Sequence, residues 1–140
     1  MRDLFNNINP IRCISPVSVG DNTVETGETI DRQGFDSLTY VIATGSLADV
    51  DATFTILLEE SDASNMSGAT AVADADLLGT ETLASFTFAA DDKTFKLGYI
   101  GDKRFTRLKI TPAANSGAAL LSAVAILGWP SVAATANPPA

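Results

Sequence analysis

Four close carboxylate pairs are the residues best suited by type to chemistry: Asp49 with Asp51, Glu59 with Glu60, Asp74 with Asp76, and Asp91 with Asp92. Glycoside hydrolysis needs two carboxyl groups facing each other across a cleft, which adjacency in sequence does not supply. The Asp-x-Asp spacing is also that of calcium ligands, but "DVDATF" and "DADLLG" lack the third ligand, the glycine and the distal glutamate of a calcium loop. These pairs therefore read as solvated loop residues, and no metal or other cofactor is expected. The chain has no histidine. That removes Ser-His and Cys-His nucleophiles, imidazole acid-base chemistry and most transition-metal sites together. There is no G-x-S-x-G elbow, P-loop or G-x-G-x-x-G, and "GYIGDK" lacks the spacing and hydroxyl residue of a phosphate cradle. No enzyme is expected.

Charge is the second chemical signal. Lys93, Lys96, Lys103, Arg104, Arg107 and Lys109 crowd one segment of a chain with nine basic against seventeen acidic residues and net charge −8. Between Arg32 and Lys93 there is no cation at all, while Asp36, Asp49, Asp51, Glu59, Glu60, Asp62, Asp74, Asp76 and Glu81 fall there. Segregated signs orient a partner, and a pI near 4.2 repels phosphate backbones, so protein docking is expected rather than nucleic-acid binding. The plain alternative is a charged face in water. The single Cys13 reads as a small buried hydrophobe, with no partner for an internal disulfide.

These side chains must be placed by strands, because the periodicity is mostly two. Leu38, Tyr40 and Ile42 share one face of "SLTYVIAT", and Phe54, Ile56 and Leu58 share one face of "ATFTILLEE". Comparable runs cover residues 11–19, 23–30, 83–89, 93–100, 104–111 and 118–127, about eight strands in all. Short strands between Gly, Asp, Asn and Ser signals predict an all-β antiparallel sandwich, best suited to a jelly roll. Residues 61–82 are too long for a bare connection, and Ala69 to Leu78 is a candidate short helix. Gly101-Asp102 predicts a hairpin in which Lys96 lies opposite Arg107 and Phe105 covers Gly98 on the outer face. The ten aromatics mostly alternate as core residues do, with Trp129 apart.

The ends differ from the middle. "MRDLFNNINP" sets Leu4 and Phe5 in a polar context without the apolar run of a secretory leader, and "WPSVAATANPPA" is too proline-rich for a sheet. The expected organisation is an arm over 1–10, a sandwich over 11–128 and a tail over 129–140. "AALLSAVAILGW" is too short to span a bilayer as a helix, so no membrane partner is expected.

Taken together, "QGFDSLTYVIATGSLADVDATFTILLEESD", "ADADLLGTE", "FKLGYIGDKRFTRLKITP" and "LSAVAILG" resemble the small head proteins of tailed bacteriophages. In length and order they look most like the cement, or head decoration, proteins of short-tailed Bordetella phages. The resemblance spans nearly the whole chain and contains no catalytic signature. It implies a jelly-roll subunit, made in the bacterial host cytoplasm, that forms homodimers on the outer capsid surface of the virion and clamps neighbouring major capsid proteins. It identifies no contact residue. The residues themselves nominate Leu4, Phe5, Lys96, Phe105, Arg107, Lys109 and Trp129 as the protein interface. A carbohydrate- or receptor-binding sandwich is the other expectation, one that an exposed aromatic platform on the 61–82 loop would favour.

Overall fold

The structure, a computed structural model, describes residues 2–139. Met1 and Ala140, which the expected arm and tail include, lie outside the described residues. A 3-10 turn at Phe5–Asn7 precedes β1 (Ile8–Val19), β2 (Glu25–Thr26), β3 (Ile30–Asp31), β4 (Phe35–Leu47) and β5 (Thr53–Ser61). There follow β6 (Thr70–Ala71), β7 (Leu77–Leu78), α1 (Glu81–Ala84), β8 (Phe86–Thr87), β9 (Thr94–Tyr99), β10 (Phe105–Ala113) and β11 (Ala119–Pro130). The front sheet runs β1-β11-β4-β9-β7; the back sheet runs β2-β10-β5-β6, with β3 also on β10 and β8 also on β5. All pairs are antiparallel.

Counting β2 with β3 and β6 with β8 as interrupted strands, and setting aside the two-residue β7, the eleven strands reduce to eight. The first then pairs with the eighth, the second with the seventh, the third with the sixth and the fourth with the fifth. That is one long antiparallel ribbon rolled into two sheets, the jelly-roll arrangement. Residues 61–82 form the tip of the ribbon. They touch both sheets, through β6 on β5 and β7 on β9.

Alternation sends Leu38, Tyr40, Ile42, Leu97, Leu121, Ala123, Ala125 and Leu127 inward from the front, against Phe54, Ile56, Leu58, Leu108 and Ile110 from the back. Burying each large apolar side chain contributes about 1.5–3 kcal/mol. The Tyr40 hydroxyl crosses this core to Thr106 Oγ1 at 2.7 Å, so its polar end is satisfied. Cys13 is buried, as its setting in sequence suggests.

Several local expectations are corrected. β9 and β10 do not form a hairpin: β9 lies between β4 and β7 in front, and β10 lies behind with β5. Alternation alone cannot separate a hairpin from an arch between sheets, and here ribbon pairing gives both strands other partners. Arg32 secures the crossing, donating to the carbonyls of Gly101 and Lys103 at 2.9 Å and stacking over the Tyr99 ring. No helix forms over 69–78. That stretch is divided between β6, a 3-10 turn at Asp74–Asp76 and β7, and the four-residue α1 comes afterwards. β1 starts three residues before Ile11, and its Pro10 is tolerated because β1 is an edge strand.

Candidate functional site

The nominated residues separate onto opposite sides of the sandwich. Arg107 and Lys109 lie on the back sheet, where Arg107 faces Glu59 in register. Arg107 donates to Glu59 Oε2 at 2.7 and 3.1 Å, and Lys109 donates to Oε1 at 2.9 Å. Burial alone would raise the Glu59 carboxyl, but the hydrogen bonds from Arg107 and Lys109 outweigh it and hold the carboxyl below its ordinary value. Further along, Lys103 reaches Asp62 at 2.7 Å, and Arg104 grips Asp31 through two 2.8 Å hydrogen bonds. Lys103, Arg104, Arg107 and Lys109 are thus paired within the fold with carboxylates of neighbouring segments, whereas Lys96 is not. Phe105 does not cover Gly98. It is 8% exposed, with the Arg104 guanidinium 4.9 Å from its ring.

Lys96, Leu4 and Trp129 lie on the other side. The outward positions of the front sheet form transverse rows: Pro10-Ile126-Thr39-Gly98-Leu78, then Arg12-Val124-Val41-Lys96, then Ser122-Ala43-Thr94. Leu120 and Leu78 lie flat across this surface because glycines sit beneath them. A Cβ on Gly45 would come within 3.0 Å of Leu120, and one on Gly98 within 2.8 Å of Leu78. At one margin, Leu78, Gly79, Leu83, Thr39, Gly98 and Lys96 line an open concavity of about 550 Å³. At the end where β11 leaves the sheet, a second of about 420 Å³ is lined by Leu4, Ile8, Ser37, Gly128, Trp129 and Pro130 among others. Trp129 adopts a left-handed backbone (φ 51°) and is 77% exposed. Phe5 points elsewhere, into a smaller cleft shared with Ile8, Pro10, Ala136, Asn137 and Pro139.

The front face is therefore a broad apolar surface with Arg12 and Lys96 at its two margins. β1, β9 and β11 contain no carboxylate, and β4 contains only Asp36, at an inward-register position near its start. Reading strands one at a time identified Lys96 but missed Val41, Val124, Ile126, Leu78 and Leu120, whose shared face depends on strand order. Among the described residues, no group of three or more His, Cys, Asp or Glu is placed to hold a metal ion. No helix among them is long and apolar enough to cross a membrane.

No family model and no curated protein matches the chain. Among solved structures, it is similar to the SPBc2 prophage-derived protein YomS, with TM-score 0.50 and 13% identity over 86% of this chain and 93% of that one. Others include the Yersinia pseudotuberculosis-derived mitogen (TM-score 0.45, 15% identity, 86% and 85% covered) and the xylan-binding module CBM15 (TM-score 0.44, 12% identity, 93% and 95% covered). At that identity the YomS likeness speaks to the fold alone.

Proposed function

We propose that this chain is a structural virion protein, a cement protein of the kind found on short-tailed Bordetella phages. In this reading it binds the outside of a phage head and stabilises it by clamping neighbouring major capsid protein subunits. It does so as a homodimer, without catalysis, cofactor, nucleic acid or membrane. The observation that carries the reading is the broad apolar front face bordered by Leu4 and Trp129, a surface suited to lying on another protein. The ordered resemblance to head decoration proteins agrees with it, and the similarly folded YomS is itself prophage-derived. The alternative, a carbohydrate- or receptor-binding module, would be favoured by an aromatic platform on the 61–82 loop, and that stretch contains no Phe, Trp or Tyr.

The test uses cognate heads stripped of this protein. Purified protein added back should be retained saturably on sedimentation and should raise the temperature at which the shells dissociate. Failure of the protein to co-sediment, or shells equally stable without it, would exclude the cement role.

A further inference from the structure

Building on that reading, we infer that the molecule lies front sheet down on the shell, its Arg12-Val124-Val41-Lys96 row seated on a capsid-protein ridge that is apolar at its crest and carries carboxylates at both sides. The row crosses four adjacent strands, so its ends are about 14 Å apart at roughly 4.8 Å per strand. Two valines form its centre, and the rows on either side are uncharged over the same strands. A chain with seventeen acidic and nine basic residues thus keeps carboxylates out of the outward positions of these four strands while placing a cation at each margin, with Glu28 beside Arg12 from outside the sheet.

The state of the cations indicates which face reads a partner. Arg107 and Lys109 behind are committed to Glu59, Lys103 to Asp62, and Arg104 to Asp31. In front, the Lys96 side chain makes no hydrogen bond or ion pair among the described residues. Arg12 has a 3.3 Å contact with Glu28 in which both side chains are largely in water. Such pairs are weak and exchange readily for a better carboxylate. Charge also argues against a second copy as the occupant of this face. A two-fold axis along the strands that superposes the rows sets Arg12 over Lys96 of the other copy; an axis across the strands sets each cation over itself. Either arrangement stacks like charges, which disfavours the pairing. An acid-flanked partner removes that conflict, and a homodimer can form through another surface.

The experiment compares three variants in head retention, thermal unfolding and sedimentation state. Val124→Glu places a charge at the centre of the row on a side chain already 39% exposed. Lys96→Glu reverses one margin, and Thr111→Glu places a charge on the exposed part of the back sheet as a control. Val124→Glu should weaken retention by about tenfold or more, the equivalent of ~1.4 kcal/mol. Lys96→Glu should weaken it several-fold with a shallower salt dependence. All three should unfold and sediment as the parent does, and Thr111→Glu should be retained normally. The inference is overturned if Val124→Glu is retained like the parent, if Thr111→Glu is the variant that detaches, or if Val124→Glu dissociates a solution dimer while staying on heads. Those outcomes leave the cement role standing, whereas a parent protein that never binds heads sinks both.

Discussion

At the scale of the residue, Glu59 has the strongest claim to a structural role. Its carboxylate is shared by Arg107 and Lys109, and its side chain is only 14% exposed. Removing it leaves two half-buried cations with no counter-ion, a change that costs more than breaking a pair in open water. Glu59→Gln should therefore lower stability at neutral pH by about 1–3 kcal/mol, seen as a reduced unfolding temperature. The sign with pH follows from depressed values at both Glu59 and Asp31, where the Arg104 hydrogen bond is the main cause at Asp31. Their stabilisation is fully present above the ordinary carboxyl range of about 4 and is lost as pH falls through the lower folded values. Acid unfolding of Glu59→Gln should accordingly show a smaller stability change between neutral pH and pH 3; an unchanged acid profile would mean that Glu59 is not one of the groups responsible. The segregated charges were plain in the sequence. Their meaning was not, because the acidic and basic runs are partners within one sheet and only the β5-β10 pairing reveals it.

At the scale of the element, the long strands were legible because alternation and residue type agreed: the apolar face of β5 is the one found in the core, and β4, whose two faces both suited burial, turns Leu38, Tyr40 and Ile42 inward. The short pieces were not, because tertiary partners decide them. "ATAVADADLL" has the composition of a helix, yet β6 and β7 satisfy backbone groups of β5 and β9 instead. What α1 does could not be read from its four residues. Between the stretches paired with β8 and β6, the edge of β5 would leave the amides of Ile56 and Leu58 without partners. Ser85 Oγ accepts from Ile56 at 2.9 Å and Glu81 Oε1 from Leu58 at 2.6 Å. Thr80 caps the turn by accepting from the Leu83 amide, which holds Glu81 in place. An unsatisfied buried donor costs about 1–3 kcal/mol. Glu81→Ala should destabilise by that order and speed hydrogen exchange at the Leu58 amide, whereas Glu81→Gln, which keeps an acceptor oxygen, should retain most of the protection. Equal protection in Glu81→Ala and the parent would show that another group closes the edge.

At the scale of the whole molecule, the rolled ribbon brings both chain ends to one place, beside the end of the front face. Chain order explains this: β1 and β11 are neighbours, so the segment entering one and the segment leaving the other emerge side by side. The tail is then held to the first residues. The Thr135 amide donates to the Asn6 carbonyl at 3.1 Å, and its hydroxyl donates to the Ile8 carbonyl at 2.6 Å. Phe5 shares a cleft with Asn137 and Pro139, while Leu4 lies beside Trp129. Sequence alone marked both ends as atypical of the sheet but could not tell that each is the other's support. If they act as one unit, losing either end forfeits the same contacts. Deletion of residues 2–7 and deletion of residues 132–140 should then each lower the unfolding temperature by a few degrees. The double deletion should lower it by clearly less than the sum, since contacting groups are non-additive. The amino-terminal deletion should also expose the tail to protease and weaken head retention, because Leu4 and Trp129 border the front face. Strictly additive losses across the four proteins, with the tail equally protected in the parent and the amino-terminal deletion, would show that the two ends fold independently.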